Sequence, residues 1–140
     1  FVFFSNYTSR KAKHLDTNTN ASLLFPWYAL ERQVILIGKV ERITVEESKA
    51  YFFNRPYGSQ LGAWVSKQSS EIKSRQVLEN RLSKLKQKFP EGKVPFPNFW
   101  GGYRLMPKSI EFWQGGANRL HDRILYKKVE SEWFTVRLSP

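Results

Sequence analysis

The sequence predicts a mostly β domain: an antiparallel barrel or sheet carrying peripheral helices. Three observations predict it. Strand-like runs follow one another with helices inserted between them, and the regular strand–helix alternation that builds a parallel doubly wound sheet is missing. The chain has 140 residues, the usual size of one domain, enough to bury about two-thirds of its unfolded surface. Its 41% hydrophobic and 25% charged residues are an ordinary globular mixture. The expectation is a single domain over 1–140.

Residues 2–6 read as a strand with no polar lead-in before Phe1, so an upstream segment carrying opening strands is expected in the native chain. Tyr7-Thr8-Ser9 then turns, and Ser9 is a good N-cap for a short helix over 10–15. Asn18 to Asn20 punctuate before a second strand, over 21–27, broken by Pro26. The longest strand candidate is 33–44, rich in Val and Ile, with Gly38 marking a bulge or a close approach. Thr44-Val45-Glu46-Glu47 is a capping box that opens a helix carrying Tyr51, Phe52 and Phe53 and stopping before Pro56. Residues 58–65 form a further helical turn. Val77, Leu78, Leu82, Leu85 and Phe89 repeat at helical spacing, giving an amphipathic helix over 77–89 with a basic outer face. Pro90, Pro95 and Pro97 make the next stretch a loop. Strands return over 102–105, 110–113, 119–129 and 133–138.

Composition excludes several chemistries. With no Cys the chain has no thiol nucleophile, thiolate metal site or disulfide, and with two His it lacks a His-rich metal centre. No apolar run approaches the roughly 20 residues of a membrane helix, so a soluble, cytoplasmic protein without a membrane partner is expected. The +11 net charge and 16% aromatic content call for an anionic partner: nucleic acid, an acidic surface or a phosphorylated small molecule. Composition does not choose among these. The basic stripe over 84–88 reads most simply as a solvated helix face, which argues against nucleic acid.

Four clusters could carry chemistry. In Arg119-Leu120-His121-Asp122-Arg123, a strand would project Arg119, His121 and Arg123 from one face. Such a face is either a charged guard on an edge strand or a seat for an anion or an electron-rich ring. Ser9-Arg10-Lys11 places two cations in the first turn of a helix, where the dipole disfavours them and a phosphate would resolve the conflict. Tyr51 and Arg55 are four apart and share a helix face, and Ser59 follows at the same interval. A phenol, a guanidinium and a hydroxyl make a good phosphate set, although singly Tyr51 reads as packing and Ser59 as a turn residue. In Lys67-Gln68-Ser69-Ser70, and at Gln33, polar side chains could meet the edge of a heterocycle or simply cap a segment. Trp113 could stack on a ring or fill the core. Gly101-Gly102 and Gly115-Gly116 fit neither a P-loop nor a dinucleotide fingerprint, and neither a paired-carboxylate nor a Ser-His-Asp arrangement is present.

The run from Ile110 to Arg123, Ile-Glu-Phe-Trp-Gln-Gly-Gly-Ala-Asn-Arg-Leu-His-Asp-Arg, resembles the signature of pyridoxamine 5'-phosphate oxidases. Supporting matches are Ser9-Arg10-Lys11-Ala12, Leu24-Phe25-Pro26-Trp27 with Glu31-Arg32-Gln33-Val34, and Arg55-Pro56 with Ser59-Gln60-Leu61-Gly62-Ala63-Trp64. Val65 to Ser70 and Phe99-Trp100-Gly101-Gly102 match as well, so the resemblance covers essentially the whole chain. It implies an FMN-binding split β-barrel, homodimeric, with FMN sites shared across the two-fold axis. It further implies oxidation of pyridoxamine or pyridoxine 5'-phosphate to pyridoxal 5'-phosphate, hydride passing to flavin N5 and oxygen reoxidising the flavin to give hydrogen peroxide. By position, Arg10 and Lys11 would hold the flavin phosphate, with Phe4, Ser5 and Ser9 nearby. Gln33, Gln68, Ser69, Trp113 and Arg123 would also contact FMN. Tyr51, Arg55 and Ser59 would grip the substrate phosphate, and Arg119 and His121 would lie over the substrate ring as the catalytic pair. Family members also carry an upstream Arg and Lys that reach the two phosphates, and the expected upstream segment would supply them. Two rivals follow: a flavin-binding split-barrel relative without this oxidase activity, and an inactive shortened form.

Overall fold

The computed structural model describes residues 1–140 and is mostly β with helices between the strands. The strands are β1 (Val2–Asn6), β2 (Asn20–Trp27), β3 (Arg32–Arg42), β4 (Trp100–Gln114), β5 (Asp122–Val129) and β6 (Glu132–Leu138). The helices are α1 (Arg10–Thr17), α2 (Val45–Phe53), α3 (Tyr57–Val65) and α4 (Arg75–Lys88). Pairing follows the order β2-β3-β4-β5-β6, with β1 joining β4 off that path. No helix is long and apolar enough to cross a membrane. The chain divides into two compact units: a strand unit of Phe1, 19–40 and 105–140, and a helical unit of 2–18 and 41–104.

In the strand unit, β2 and β3 pair antiparallel with Leu23 opposite Leu36 and Pro26 opposite Gln33. Pro26 therefore does not break β2. The strand lies at the end of the pairing order, where a proline is tolerated. Leu36 is wholly buried, as a Val/Ile-rich strand interior requires. Gly38 is a close approach: a Cβ there would sit 2.0 Å from the Met106 carbonyl oxygen. Gly38→Ala is expected to destabilise the chain by about 1–3 kcal/mol, because a backbone carbonyl cannot step aside as a side chain can. A chemical-denaturation midpoint equal to that of the parent would refute it.

The runs expected separately at 102–105 and 110–113 are one 15-residue strand, β4. Its pairing explains the fusion. Residues 100–104 pair with β1 and 109–114 with β5, so Pro107 falls between those two ladders. The strand expected over 119–129 begins only at Asp122. Ala117–Arg119 form a 3-10 turn in which Asn118 and Arg119 take left-handed φ values of 57° and 63°.

The helical unit follows its local signals closely. Ser9 caps α1, its hydroxyl accepting from the Ala12 N–H at 3.3 Å. Thr44 and Glu47 form the expected capping box. The Thr44 backbone N–H and then Arg104 hold the Glu47 carboxyl below the usual range. Phe52 and Leu61 are wholly buried with Ala63, Val94 and Trp100, and Leu82, Leu85 and Phe89 pack against this cluster. Burying each large apolar side chain contributes about 1.5–3 kcal/mol, which pins α2, α3 and α4 around Trp100. α4 starts two residues earlier than its apolar repeat and buries none of its residues fully, leaving its basic face outward.

Candidate active site

In the helical unit, the end of β1 meets the start of α1. Ser5 and Ser9 are buried and share a hydrogen bond of 3.0 Å. The Gln68 side-chain oxygen accepts from the Ser5 hydroxyl at 3.1 Å and from the Asn6 N–H at 2.9 Å. This network fixes the segment 67–70 beside β1. Within it Ser70 N–H donates to the Lys67 carbonyl, and Ser69 is held at a φ of 69°. Arg10 and Lys11 are exposed in the first turn of α1, which holds no acidic residue. Two cations on the positive end of a helix repel the dipole they sit on, and a bound phosphate relieves both.

A second group in the same unit surrounds a cavity of about 580 Å³ lined by Val2, Phe3, Phe4, Tyr51, Arg55 and Trp100. The Phe4 ring stacks on Tyr51 at 3.7 Å and lies 5.1 Å from Trp100. The Arg55 guanidinium sits 4.9 Å from the Trp100 centroid, a cation–π contact. Its Nη1 is buried and makes no hydrogen bond. Burial holds the Arg55 pKa below its ordinary value, with Tyr51 acting in the opposite sense. Arg55 is not on the helix of Tyr51, as the four-residue spacing suggested. α2 ends at Phe53 ahead of Pro56, and Arg55 lies in the bend before α3. The bend still brings the two to one cavity. Ser59 is half-buried in the first turn of α3, its N–H bonded to the Pro56 carbonyl at 2.8 Å, and does not line the cavity.

The third group belongs to the strand unit. Gln33 and Trp113 line a cavity of about 300 Å³ together with Trp27, Arg32, Phe112 and Gln114. Arg32 Nε donates to the Gln114 side-chain oxygen, and Gln114 Nε2 donates to the Glu31 carbonyl at 3.3 Å. The loop carrying Glu31 is thereby tied to the end of β4. His121 Nδ1 accepts from the Gly116 N–H at 3.2 Å, which places the proton of the neutral ring on Nε2. The imidazole lies 4.8 Å from the Trp113 ring.

Arg119, His121 and Arg123 do not project from one strand face. Arg119 lies in the left-handed turn and is exposed, whereas Arg123 is on β5. Arg123 grips Glu111 with two hydrogen bonds of 2.9 and 3.1 Å and donates to the Ser139 carbonyl at 3.0 Å. The Glu111 carboxylate accordingly raises the Arg123 pKa. That pair removes most of the cation–cation repulsion expected of the cluster. Glu111 had no signal in the sequence, because its meeting with Arg123 depends on the β4–β5 register. Asp122 pairs with Arg137 at 2.9 Å.

Left-handed backbone at a long side chain costs roughly 1–2 kcal/mol. Arg119→Val is expected to lower stability by about that amount, because a β-branched residue tolerates this φ worst. Arg119→Gly should leave stability unchanged or improve it. Equal denaturation midpoints for the two variants would show that position 119 is not strained.

Two family models match the chain. One, described as "Pyridoxamine 5'-phosphate oxidase", covers residues 1–89, and one described as "Pyridoxine 5'-phosphate oxidase C-terminal dimerisation region" covers residues 100–140. A protein of Shewanella frigidimarina named pyridoxine/pyridoxamine 5'-phosphate oxidase is 54% identical over 140 residues, all of this chain and 66% of that protein. The protein of the same name in Escherichia coli O139:H28 is 55% identical over 139 residues, 99% of this chain and 64% of that one. The chain thus spans just under two-thirds of these relatives' length. Among solved structures, PhzG from Burkholderia lata 383, in complex with tetrahydrophenazine-1-carboxylic acid, superposes with a TM-score of 0.90 at 29% identity, covering 99% of this chain and 68% of PhzG. A pyridoxamine 5'-phosphate oxidase-related, FMN-binding protein of Nostoc punctiforme gives a TM-score of 0.74 at 16% identity, covering 99% of this chain and 72% of that one. The fold is that of these split-barrel relatives, as the family resemblance implied.

Proposed function

The chain belongs to the pyridoxamine 5'-phosphate oxidase family, and from that premise we propose that it oxidises pyridoxamine or pyridoxine 5'-phosphate to pyridoxal 5'-phosphate with FMN and oxygen. The observation that carries this reading is Arg55. A guanidinium that lines an aromatic-walled cavity beside a tyrosine, with one buried nitrogen lacking a partner, suits a phosphate-bearing ring compound. The residues at the start of α1 fit FMN in the same way, since Arg10 and Lys11 at the positive end of the helix dipole suit its phosphate.

FMN, when bound, supplies a two-electron acceptor for the hydride leaving the carbon that bears the amine or alcohol, and oxygen restores it with release of hydrogen peroxide. The chain's residues bind and orient. Arg10, Lys11, Ser5 and Ser9 would hold the cofactor phosphate, and Gln68 and Ser69 would contact the cofactor from the helical unit. Gln33, Trp113 and Arg123, the last kept in place by Glu111, would contact it from the strand unit, some of these residues coming from a second copy of the chain. Tyr51 and Arg55 would bind the substrate phosphate at the cavity they share, and Ser59, outside that lining, is assigned to it by the family resemblance alone. Arg119 orients the substrate ring. His121, with Nδ1 accepting from Gly116 and its proton on Nε2, would donate a hydrogen bond that orients the amine or alcohol group being oxidised. A second copy of the chain completes the assembly. Supporting this, β5 and β6 leave Tyr126, Val129, Trp133, Phe134 and Val136 exposed, an apolar surface of the kind a dimer covers.

The test is a visible spectrum of the purified chain after loading with FMN and exchange into fresh buffer, followed by anaerobic pyridoxine 5'-phosphate. Retained flavin absorbance that bleaches on addition is the expected result. Retained flavin that does not bleach would favour a flavin-binding relative without this activity. Failure to retain flavin would overturn the reading for this stretch of chain.

A further inference from the structure

We propose that Gln60 is the positioning residue for the phosphate site, holding the bend that presents Arg55 to the cavity. This rests on the reading of Arg55 given above. α2 must end before Pro56, and the carbonyls at its end need donors that the next turn cannot give, because a proline has no N–H. Gln60, on α3, supplies them. Its Nε2 donates to the Arg55 carbonyl at 2.9 Å and to the Phe53 carbonyl at 3.3 Å. The side chain is buried, with 8% of the residue exposed. Its orientation is fixed by chemistry, since the reversed amide would set its oxygen against two carbonyl oxygens.

The same residue anchors itself through its backbone, its N–H donating to the Pro56 carbonyl at 3.1 Å. Gln60 therefore spans the bend from both sides, and the Arg55 main chain between them has little freedom. The guanidinium needs that restraint. Its contact with Trp100 is a face-on one at 4.9 Å, and its Nη1 makes no hydrogen bond that would hold it. A bend free to relax would let Arg55 leave the cavity for water, where its charge is better solvated. Nothing in Gln60 touches the cavity itself, so its action on a ligand runs through Arg55.

Two variants remove the donation. Gln60→Met keeps the length and volume without a donor, and Gln60→Glu keeps the shape but presents an acceptor to two acceptors. Binding is read by equilibrium dialysis of the flavin-loaded chain against pyridoxine 5'-phosphate and, separately, unphosphorylated pyridoxine, with FMN affinity and melting temperature followed alongside. Displacing Arg55 by a fraction of an ångström is expected to weaken the phosphorylated ligand about ten-fold while pyridoxine and FMN change less than about two-fold. Adding Gln60→Met to Arg55→Ala should then produce no loss beyond that of Arg55→Ala alone. Equal weakening of both ligands, or loss of FMN together with a lower melting temperature, would make Gln60 merely structural and overturn the proposal. Unchanged preference for the phosphorylated ligand in Gln60→Met would overturn it as well. If Arg55→Ala alone leaves that preference intact, the reading of the phosphate site fails first, and the proposal with it.

Discussion

Arg55→Ala is expected to weaken pyridoxine 5'-phosphate by about 100-fold, with unphosphorylated pyridoxine affected no more than about two-fold. The size follows from what the folded chain already holds in place. The guanidinium is partly desolvated, stacked on Trp100, and belongs to a residue that lines the cavity, with Nη1 buried and unpartnered. A phosphate arriving there meets a charge whose water has already been removed, so each charge-assisted bond contributes about 1.5–3 kcal/mol. Arg55→Lys should recover only part of the affinity, because an ammonium is a point charge and does not offer the planar fork. Stability is expected to move little or to rise, since the substitution deletes a buried polar atom that lacks a partner. Dialysis against both ligands decides the matter. Equal losses for the two would mean that Arg55 shapes the cavity and does not read the phosphate. Raising the salt concentration separates the alternatives further, because a partly buried pair is screened less than surface charges are.

The parts of this site that were legible in the sequence are those set by neighbours along the chain. Ser9 caps α1 and Thr44 boxes α2 because a hydroxyl three residues before a free N–H reaches it in almost any context. Gly38 announced either a bulge or a close approach, and only the structure decided for the latter and identified the Met106 backbone as what approaches. The parts that were not legible depend on pairing between distant residues. Tyr51 and Arg55 were correctly grouped for an incomplete reason: their spacing suggested one helix, whereas Pro56 ends the helix and a bend folds Arg55 onto the same cavity. Alternation along 119–123 failed because Asn118 and Arg119 adopt left-handed backbone, a conformation that their side chains permit but do not signal. Glu111 and Gln60 escaped notice for a related reason. Each acts on an arginine through a hydrogen bond that exists only once β4 has found its register on β5, or α3 has folded back on α2. The resemblance to a family went beyond local physics, assigning by position residues that lie in both compact units.

Arg10→Ala and Arg119→Ala are expected to fail in opposite ways. Arg10 lies exposed in the first turn of α1 beside Lys11, where the turn has no acidic residue and the helix dipole disfavours a cation. Without a ligand its removal should stabilise α1 slightly, by about 0.3–1 kcal/mol. With FMN present the same removal deletes a charge-assisted bond to a phosphate, and affinity should fall about 10- to 100-fold. Turnover at saturating FMN should then be nearly normal, because Arg10 acts on binding alone. Arg119 is the reverse case. It sits in a left-handed turn between Gly116 and His121, and a strained conformation at a candidate site is more easily explained by use than by stability. Its truncation should leave FMN affinity within about three-fold and slow the anaerobic bleaching of bound flavin by about 100-fold, the loss expected when a substrate is no longer held in register. Flavin titration and single-turnover bleaching on the same two variants give four numbers, and the assignment requires them to cross. Comparable losses of flavin affinity in both variants would end this division of labour and return Arg119 to a structural role in the turn.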